Sequence, residues 1–337
     1  MARSKNSGAA DRAWSQRTVL PTSRPESTGP SRSAPDRLAP TRRQLLLALT
    51  GITAAALSPT ASAAATVRDM LAGLEHRHGG RLGVHALDTE TGRRLGWRAD
   101  ERFAMCSTFK LLLAGLVLRE HGAGRLDGEA PISYSEADLV PHAPVVGERL
   151  KAGVTALSAL DLARATQQTS DNVAANLLIR QLGGPETVTA AFRAMGDSIT
   201  RLDRLEPDLN RVEPGDPRDT TTPRAIADTT AQLLTGHLLD AASRDRLALW
   251  LVDTTTGLRR LRAGLPAHWR VGDKTGTALI EELGDQYNDV AVAWPPGRAP
   301  IVIAAYYATG RHHPKIRAED EAVLAEVGRI VAAWSGA

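Results

Sequence analysis

Among 337 residues there is one cysteine, Cys106. That excludes an intramolecular disulfide and any site built from paired thiolates. No partner pattern marks Cys106 as a nucleophile, so it reads as a small buried packing residue. Aromatic residues make up only 4%, and no basic stripe with interleaved aromatics appears, so a nucleic-acid partner is not expected. The nine histidines include one adjacent pair, His312-His313. Adjacent residues do not share a helix face, and the pair is expected to be exposed. No His-rich or Cys-rich ligand spacing occurs, so neither a metal nor a cofactor is expected. The one marked apolar run, Leu45 to Leu57, is too short to span a bilayer comfortably, and no stable membrane association is expected. Lysine is scarce as well: Lys5, Lys110, Lys151, Lys274 and Lys315 are all there are. Where such a rare residue falls inside a motif, its proton chemistry is worth asking about, because arginine could not give and take protons near neutral pH.

The net charge of +3 belongs to the N-terminus. Residues 1–63 hold nine Lys/Arg against three acids, a balance of +6, which leaves −3 for the rest. Residues 1–40 are rich in Ser, Pro, Arg and Gly without apolar periodicity, and are expected to be disordered. Thr41-Arg42-Arg43-Gln44, the apolar run and Ala61-Ser62-Ala63 then compose a signal peptide over 41–63. The paired arginines suggest the twin-arginine type, which exports folded proteins; an ordinary secretory signal is the other reading. Either makes the mature protein, 64–337, secreted or extracytoplasmic.

In the mature part, residues 66–78 have the spacing of an amphipathic helix. Residues 81–87 alternate like a strand, and after a turn at 88–92 a second strand returns over 93–98. Helical pattern fills about 108–250. Strand signals come back at 269–277, 289–294 and 300–307, followed by a closing helix over 319–335. With strands at both ends and helices between, the simplest architecture is α/β: one antiparallel five-stranded sheet built from both chain ends, packed with helices, plus an all-helical lobe. The expected division is an α/β part over 64–100 and 240–337 and a helical part over 101–239.

Three short motifs carry chemistry. Ser107-Thr108-Phe109-Lys110 opens an apolar helical run. Positions three apart share a helix face, so Ser107 and Lys110 should meet. A serine at a helix N-terminus beside a neutral lysine could act as a nucleophile, though a helix cap and a solvated lysine would look the same. Ser170-Asp171-Asn172 precedes another helix. It reads either as an N-cap or as a serine that relays a proton and an asparagine that binds an amide. Lys274-Thr275-Gly276-Thr277 ends a strand, which suits an anion site with close substrate approach.

Together, in this order, the motifs are a known signature. From about Thr66 to its end the chain resembles the class A serine β-lactamases of the penicillin-recognising serine hydrolases. A further segment, Glu206-Pro207-Asp208-Leu209-Asn210, resembles that family's Ω-loop. The resemblance implies hydrolysis of β-lactam antibiotics through an acyl-enzyme by a monomer. It implies Ser107 as nucleophile, Lys110 and Ser170 in proton transfer, and Glu206 as base for a water oriented by Asn210. The N–H groups of Ser107 and Thr277 would receive the oxyanion. Asn172, Lys274, Thr275, Gly276, Thr277 and Arg260 would bind substrate, with Arg260 supplying from a helix the arginine that the strand 288–294 lacks. Arg204 and Asp219 would form a salt bridge at the loop's neck, and Pro207 a cis bond. Two departures bear on substrate preference. Ala278 replaces the usual glycine or serine and excludes the disulfide that some members make from the Cys106 position, and the connection 279–287 is longer than usual. A D-alanyl-D-alanine carboxypeptidase would share the three motifs without Glu206, and a β-lactam sensor would acylate without turnover.

Overall fold

The computed structural model describes residues 59–336, with side chains from Thr66 onward. The expected disordered segment 1–40 and nearly all of the signal peptide 41–63 lie outside the described residues.

Helix α1 (Pro59–His78) begins seven residues ahead of the expected start. It leads into β1 (Arg81–Asp88) and β2 (Arg94–Trp97). Asp88 closes the intervening turn, its Oδ1 accepting from the N–H groups of Glu90 and Thr91. The short β3 (Phe103–Ala104) follows, then α2 (Phe109–Gly122), β4 (Pro131–Ser133), α3 (Val146–Lys151) and β5 (Ala156–Ser158). Next come α4 (Ala159–Thr169), α5 (Asn172–Gln181), α6 (Pro185–Ala194), β6 (Thr220–Thr221), α7 (Pro223–Thr235) and α8 (Ala241–Val252). The chain finishes with α9 (Leu261–Gly264), β7 (Arg270–Ala278), β8 (Gln286–Trp294), β9 (Ile301–Ala308) and α10 (Ala318–Ser335).

The five long strands form one antiparallel sheet in the order β2-β1-β9-β8-β7. β1 pairs with β9, Arg81 opposite Ala308 through Asp88 opposite Ile301, so the two ends of the fold are joined in the middle of the sheet. Alternate residues point to opposite faces, and two cores result. On one face Leu82, Val84, Tyr287, Ile303 and Tyr307 pack with Leu71 and Leu74 of α1 and Val323, Val327 and Val331 of α10. On the other, Val290, Val292, Val302 and Tyr306 join the helical side, led by the apolar run of α2. Helix α8 contributes Leu247, Trp250 and Leu251 to this second core.

Two short strand pairings and one strand boundary differ from the sequence reading. β4 with β5 and β3 with β6 add strands to the lobe expected to be all-helical. β8 starts at Gln286 instead of 289, so the connection from β7 runs over 279–285. Both faces of β8 are buried, which removes the apolar-polar alternation that would have marked its start.

Candidate active site

The segment before Ser107 is shaped by its neighbours. Cys106 takes a left-handed backbone with φ 46°, uncommon for a residue other than glycine. Asn288 of β8 donates from Nδ2 to the carbonyls of Ala104 (2.9 Å) and Met105 (3.3 Å). β7 passes close by. A Cβ on Gly276 would stand 2.7 Å from Met105 O and 3.2 Å from Ser107 N, so only glycine lets the strand approach. Cys106–Thr108 form a 3-10 turn that runs directly into α2. Ser107 and Lys110 then lie on one side, with Lys110 Nζ donating to Ser107 Oγ at 3.0 Å. Cys106 is free and fully buried, and burial pushes its thiol up to about 12, which leaves it inert as a nucleophile.

Lys110 is the hub. Its ammonium, without solvent contact, donates to Ser170 O at 2.9 Å and to Asn172 Oδ1, and pairs with Glu206 Oε1 at 2.8 Å. Burying a lysine costs several kcal/mol unless a carboxylate and further acceptors replace its water, as here. Glu206 Oε1 also lies 3.4 Å from Ser107 Oγ, so one carboxylate reaches both the lysine and the serine. Ser170 sits between two lysines. Its Oγ is 3.1 Å from Lys274 Nζ and 3.5 Å from Lys110 Nζ, and its left-handed backbone, φ 61°, turns the chain between α4 and α5. Asp171 caps α5, its Oδ1 accepting from Ala174 N. Asn172 Nδ2 donates to Pro141 O.

Glu206 precedes a cis peptide bond to Pro207. Asn210 donates from Nδ2 to Glu206 Oε2 at 2.7 Å, and its Oδ1 is buried with no partner among the described residues, an acceptor available to a water. At the neck of the segment Asp219, wholly buried, accepts from Asp203 N (2.7 Å), Arg204 N (3.0 Å) and Arg204 Nε (2.6 Å).

On the opposite wall Lys274 is completely buried, and burial together with the charge of Lys110 lowers its pKa to about 7. Arg260 is buried between α9 and the sheet. It donates to Gly276 O, Asn288 O and Thr277 Oγ1 (2.7 Å), and pairs with Glu321 of α10 at 3.2 Å. Since Arg260 only donates, Thr277 Oγ1 accepts from it and its own hydrogen is free to point elsewhere. Beneath, burial holds Asp289 well above the usual carboxylate range, while Arg262 pairs with Asp273 at 3.1 Å.

Ser107, Ser170, Asn172, Glu206, Asn210, Arg260, Thr275 and Thr277 all face one cleft of about 410 Å³. A separate cavity of about 450 Å³, lined by Arg81, Arg102 and Val212 among others, contains none of the motif residues. Several contributors were not read from the sequence. Asn176 binds Glu206 twice, Nδ2 to its carbonyl and Oδ1 from its N–H, both at 2.9 Å. Its position four after Asn172 on an otherwise apolar helix was the available signal. Thr256 accepts from Thr275 Oγ1 at 2.9 Å. His142 and Ile316 also line the cleft. The expected exposure of His312 and His313 is not found. Both are part-buried and converge on the buried carboxylate of Asp285, Nδ1 to Oδ1 at 3.0 Å and Nδ1 to Oδ2 at 3.3 Å. They lie in a loop, where the helix-face argument does not apply.

A family model described as "Beta-lactamase enzyme family" matches residues 63–334. Beta-lactamase AST-1 of Nocardia asteroides is 49% identical over 274 residues, covering 81% of this chain and 84% of that protein. Beta-lactamase L2 of Stenotrophomonas maltophilia is 50% identical over 288 residues, covering 85% and 91%. Among solved structures, an ancestral class A β-lactamase is 51% identical with a TM-score of 0.74, covering 79% of this chain and 99% of that one.

Proposed function

The chain belongs to the class A β-lactamase family, and on that premise we propose how its residues divide the work. The enzyme hydrolyses the β-lactam ring of penicillins and cephalosporins, which confers antibiotic resistance. Ser107 Oγ attacks the lactam carbonyl, and its proton leaves through the Lys110–Glu206 pair. The N–H groups of Ser107 and Thr277 receive the oxyanion; one such donor contributes about 3–4 kcal/mol in other enzymes. The tetrahedral intermediate collapses, the C–N bond breaks, and Ser170, linked to both lysines, delivers a proton to the ring nitrogen. The product of this half is an ester on Ser107. The substrate carboxylate rests on Lys274, Thr275, Thr277 and Arg260 across from Gly276, and Asn172 binds the side-chain amide. In the second half Glu206 takes a proton from a water held by Asn210, the hydroxide attacks the ester, and Ser107 regains its proton. Arg204 and Asp219 are structural, keeping Glu206 in register.

The observation that carries this reading is the second base. Glu206 is buried, 2.8 Å from Lys110, and hydrogen-bonded to Asn210 beside the nucleophile. After ring opening the leaving amine stays tethered, so water needs its own direction and its own base. A carboxypeptidase would lack that base. Ser107→Ala should give no penicillin mass adduct. Glu206→Gln should still acylate but release product about 10²–10⁴ more slowly, so that the adduct accumulates in a mass spectrum. Wild-type turnover by Glu206→Gln would overturn the assignment.

No described helix is long and apolar enough to cross a membrane. We propose that the mature enzyme acts outside the cytoplasm, as a monomer, after export through a twin-arginine leader over 41–63; the Arg42-Arg43 pair supports the export route.

A further inference from the structure

Ile316 is 53% exposed, yet it lines the same cleft as Arg260 and Thr277. A large aliphatic side chain half in water at a binding cleft calls for a reason, since covering it is favourable. Its location is fixed closely. The neighbouring Arg317 N donates to Tyr287 Oη at 3.0 Å, and Tyr287 is the cross-strand partner of Thr277. Ile316 therefore stands on the carboxylate side of the cleft.

The segment carrying Ile316 is clamped. Arg317 Nη1 lies 2.9 Å from His313 Nε2, and arginine only donates, so Nε2 accepts and the ring hydrogen is on Nδ1. That hydrogen points at Asp285 Oδ2, and His313 N donates to the same oxygen at 2.9 Å. His312 Nδ1 holds Oδ1. Asp285 closes the β7–β8 connection, and its backbone exchanges hydrogen bonds with Thr309 and Arg311. Two loops are thereby stapled through one buried carboxylate, and Ile316 sits at the end of the staple.

We propose that Ile316 is a specificity-determining residue: a rigid apolar lip, set by the Asp285–His312–His313 clamp, that selects cephalosporins with a neutral, apolar substituent on the ring carbon next to the one bearing the carboxylate. This rests on the carboxylate seat assigned above. In a cephalosporin those two ring carbons are bonded to each other, so whatever flanks the carboxylate also meets that substituent. A cationic or anionic group there would have to shed water against isoleucine, and the nearby cleft-lining carboxylate of Glu321 is already paired with Arg260.

The test compares kcat/KM for two cephalosporins with the same acyl group, one carrying an apolar substituent and one a quaternary ammonium. The wild type should favour the apolar compound on the order of tenfold. Ile316→Asp should erase or reverse that ratio, and Ile316→Ser should bring it close to one. His313→Gln, which cannot bridge Arg317 and Asp285 in the same way, should lower the ratio by loosening the lip. Stoichiometric penicillin labelling at Ser107, read for each variant in a Glu206→Gln background where the acyl-enzyme accumulates, verifies that it folds. A ratio unchanged in Ile316→Asp with labelling intact overturns the lip and leaves the lactamase reading standing. Loss of labelling at Ser107 in the Glu206→Gln parent would instead overturn the site itself.

Discussion

Lys274, the proposed seat of the substrate carboxylate, has no solvent contact. Burial first, and then the charge of Lys110, lower its pKa from 10.5 to about 7. The profile of kcat/KM reports ionisations of the free enzyme, so for penicillins it should fall above pH 7 as the ammonium is lost. Lys274→Arg stays charged and should carry the plateau to higher pH, even if its maximum is lower. An alkaline limb in the same place in both enzymes would assign it to another group. Stability has a definite sign as well. The folded pKa lies below the unfolded one, so this group's contribution is fully present above 10.5 and is lost as pH falls through about 7. Melting temperatures of Lys274→Met should lack that slope. The residues around Lys274 were legible unequally. Ser107 with Lys110, Ser170 with Asn172, and Lys274 with Gly276 are neighbours in sequence, so local spacing exposes them. Thr256, Glu321 and Ile316 reach the cleft only because α9, α10 and their loops fold back onto β7, and nothing local announces them.

The segment from Asp203 to Asp219 illustrates the same division among elements. Its function-bearing residues were visible as a short motif, but what fixes them is distributed. Asn176 of α5 grips Glu206 from outside the segment. Asp219 and Asp203 cross-brace the neck, each accepting a backbone N–H from the other's side. Removing Arg204 leaves Asp219 buried with its two backbone donors and no cation. Breaking such a pair costs about 3 kcal/mol. Arg204→Ala should lower the melting temperature, and its kinetic damage should be selective. In the proposed mechanism acylation depends mainly on α2 and β7, whereas deacylation depends on where Glu206 and Asn210 hold their water. The fraction of enzyme trapped as acyl-enzyme at steady state should therefore rise with a penicillin substrate. If single-turnover acylation and deacylation slow by the same factor, the neck does not position the loop. Boundaries followed the same logic. The starts of β7, β9 and α10 were legible to within a residue because turn residues precede them. β8 was not, because a strand buried on both faces carries no alternation.

At the scale of the molecule the joining of the chain's ends has a consequence for export. β1 binds β9, pairing residues 81–88 with 301–308, and α1 and α10 cover the same face of the sheet. This architecture was legible because strand patterns cluster at both ends of the sequence and helical patterns between them. It also means that the sheet cannot close until nearly the whole chain has been made, since non-local pairing must wait for its partner. Once closed, the enzyme holds two cores and a buried network of charges, which a translocation route for unfolded chains would have to prevent or undo. A leader of the twin-arginine type avoids that conflict by accepting the folded enzyme. The two arginines, Arg42 and Arg43, immediately precede Gln44 and the apolar run. Replacing both with lysine preserves the charge of the leader and changes only the guanidinium pair. The double variant Arg42→Lys/Arg43→Lys should accumulate folded, penicillin-hydrolysing enzyme inside the cell while external turnover falls by more than tenfold, on the order expected when a required recognition pair is lost. An ordinary secretory signal needs only positive charge ahead of its apolar run. External activity equal to the wild type's would therefore assign export to that route and require the fold to form only after crossing.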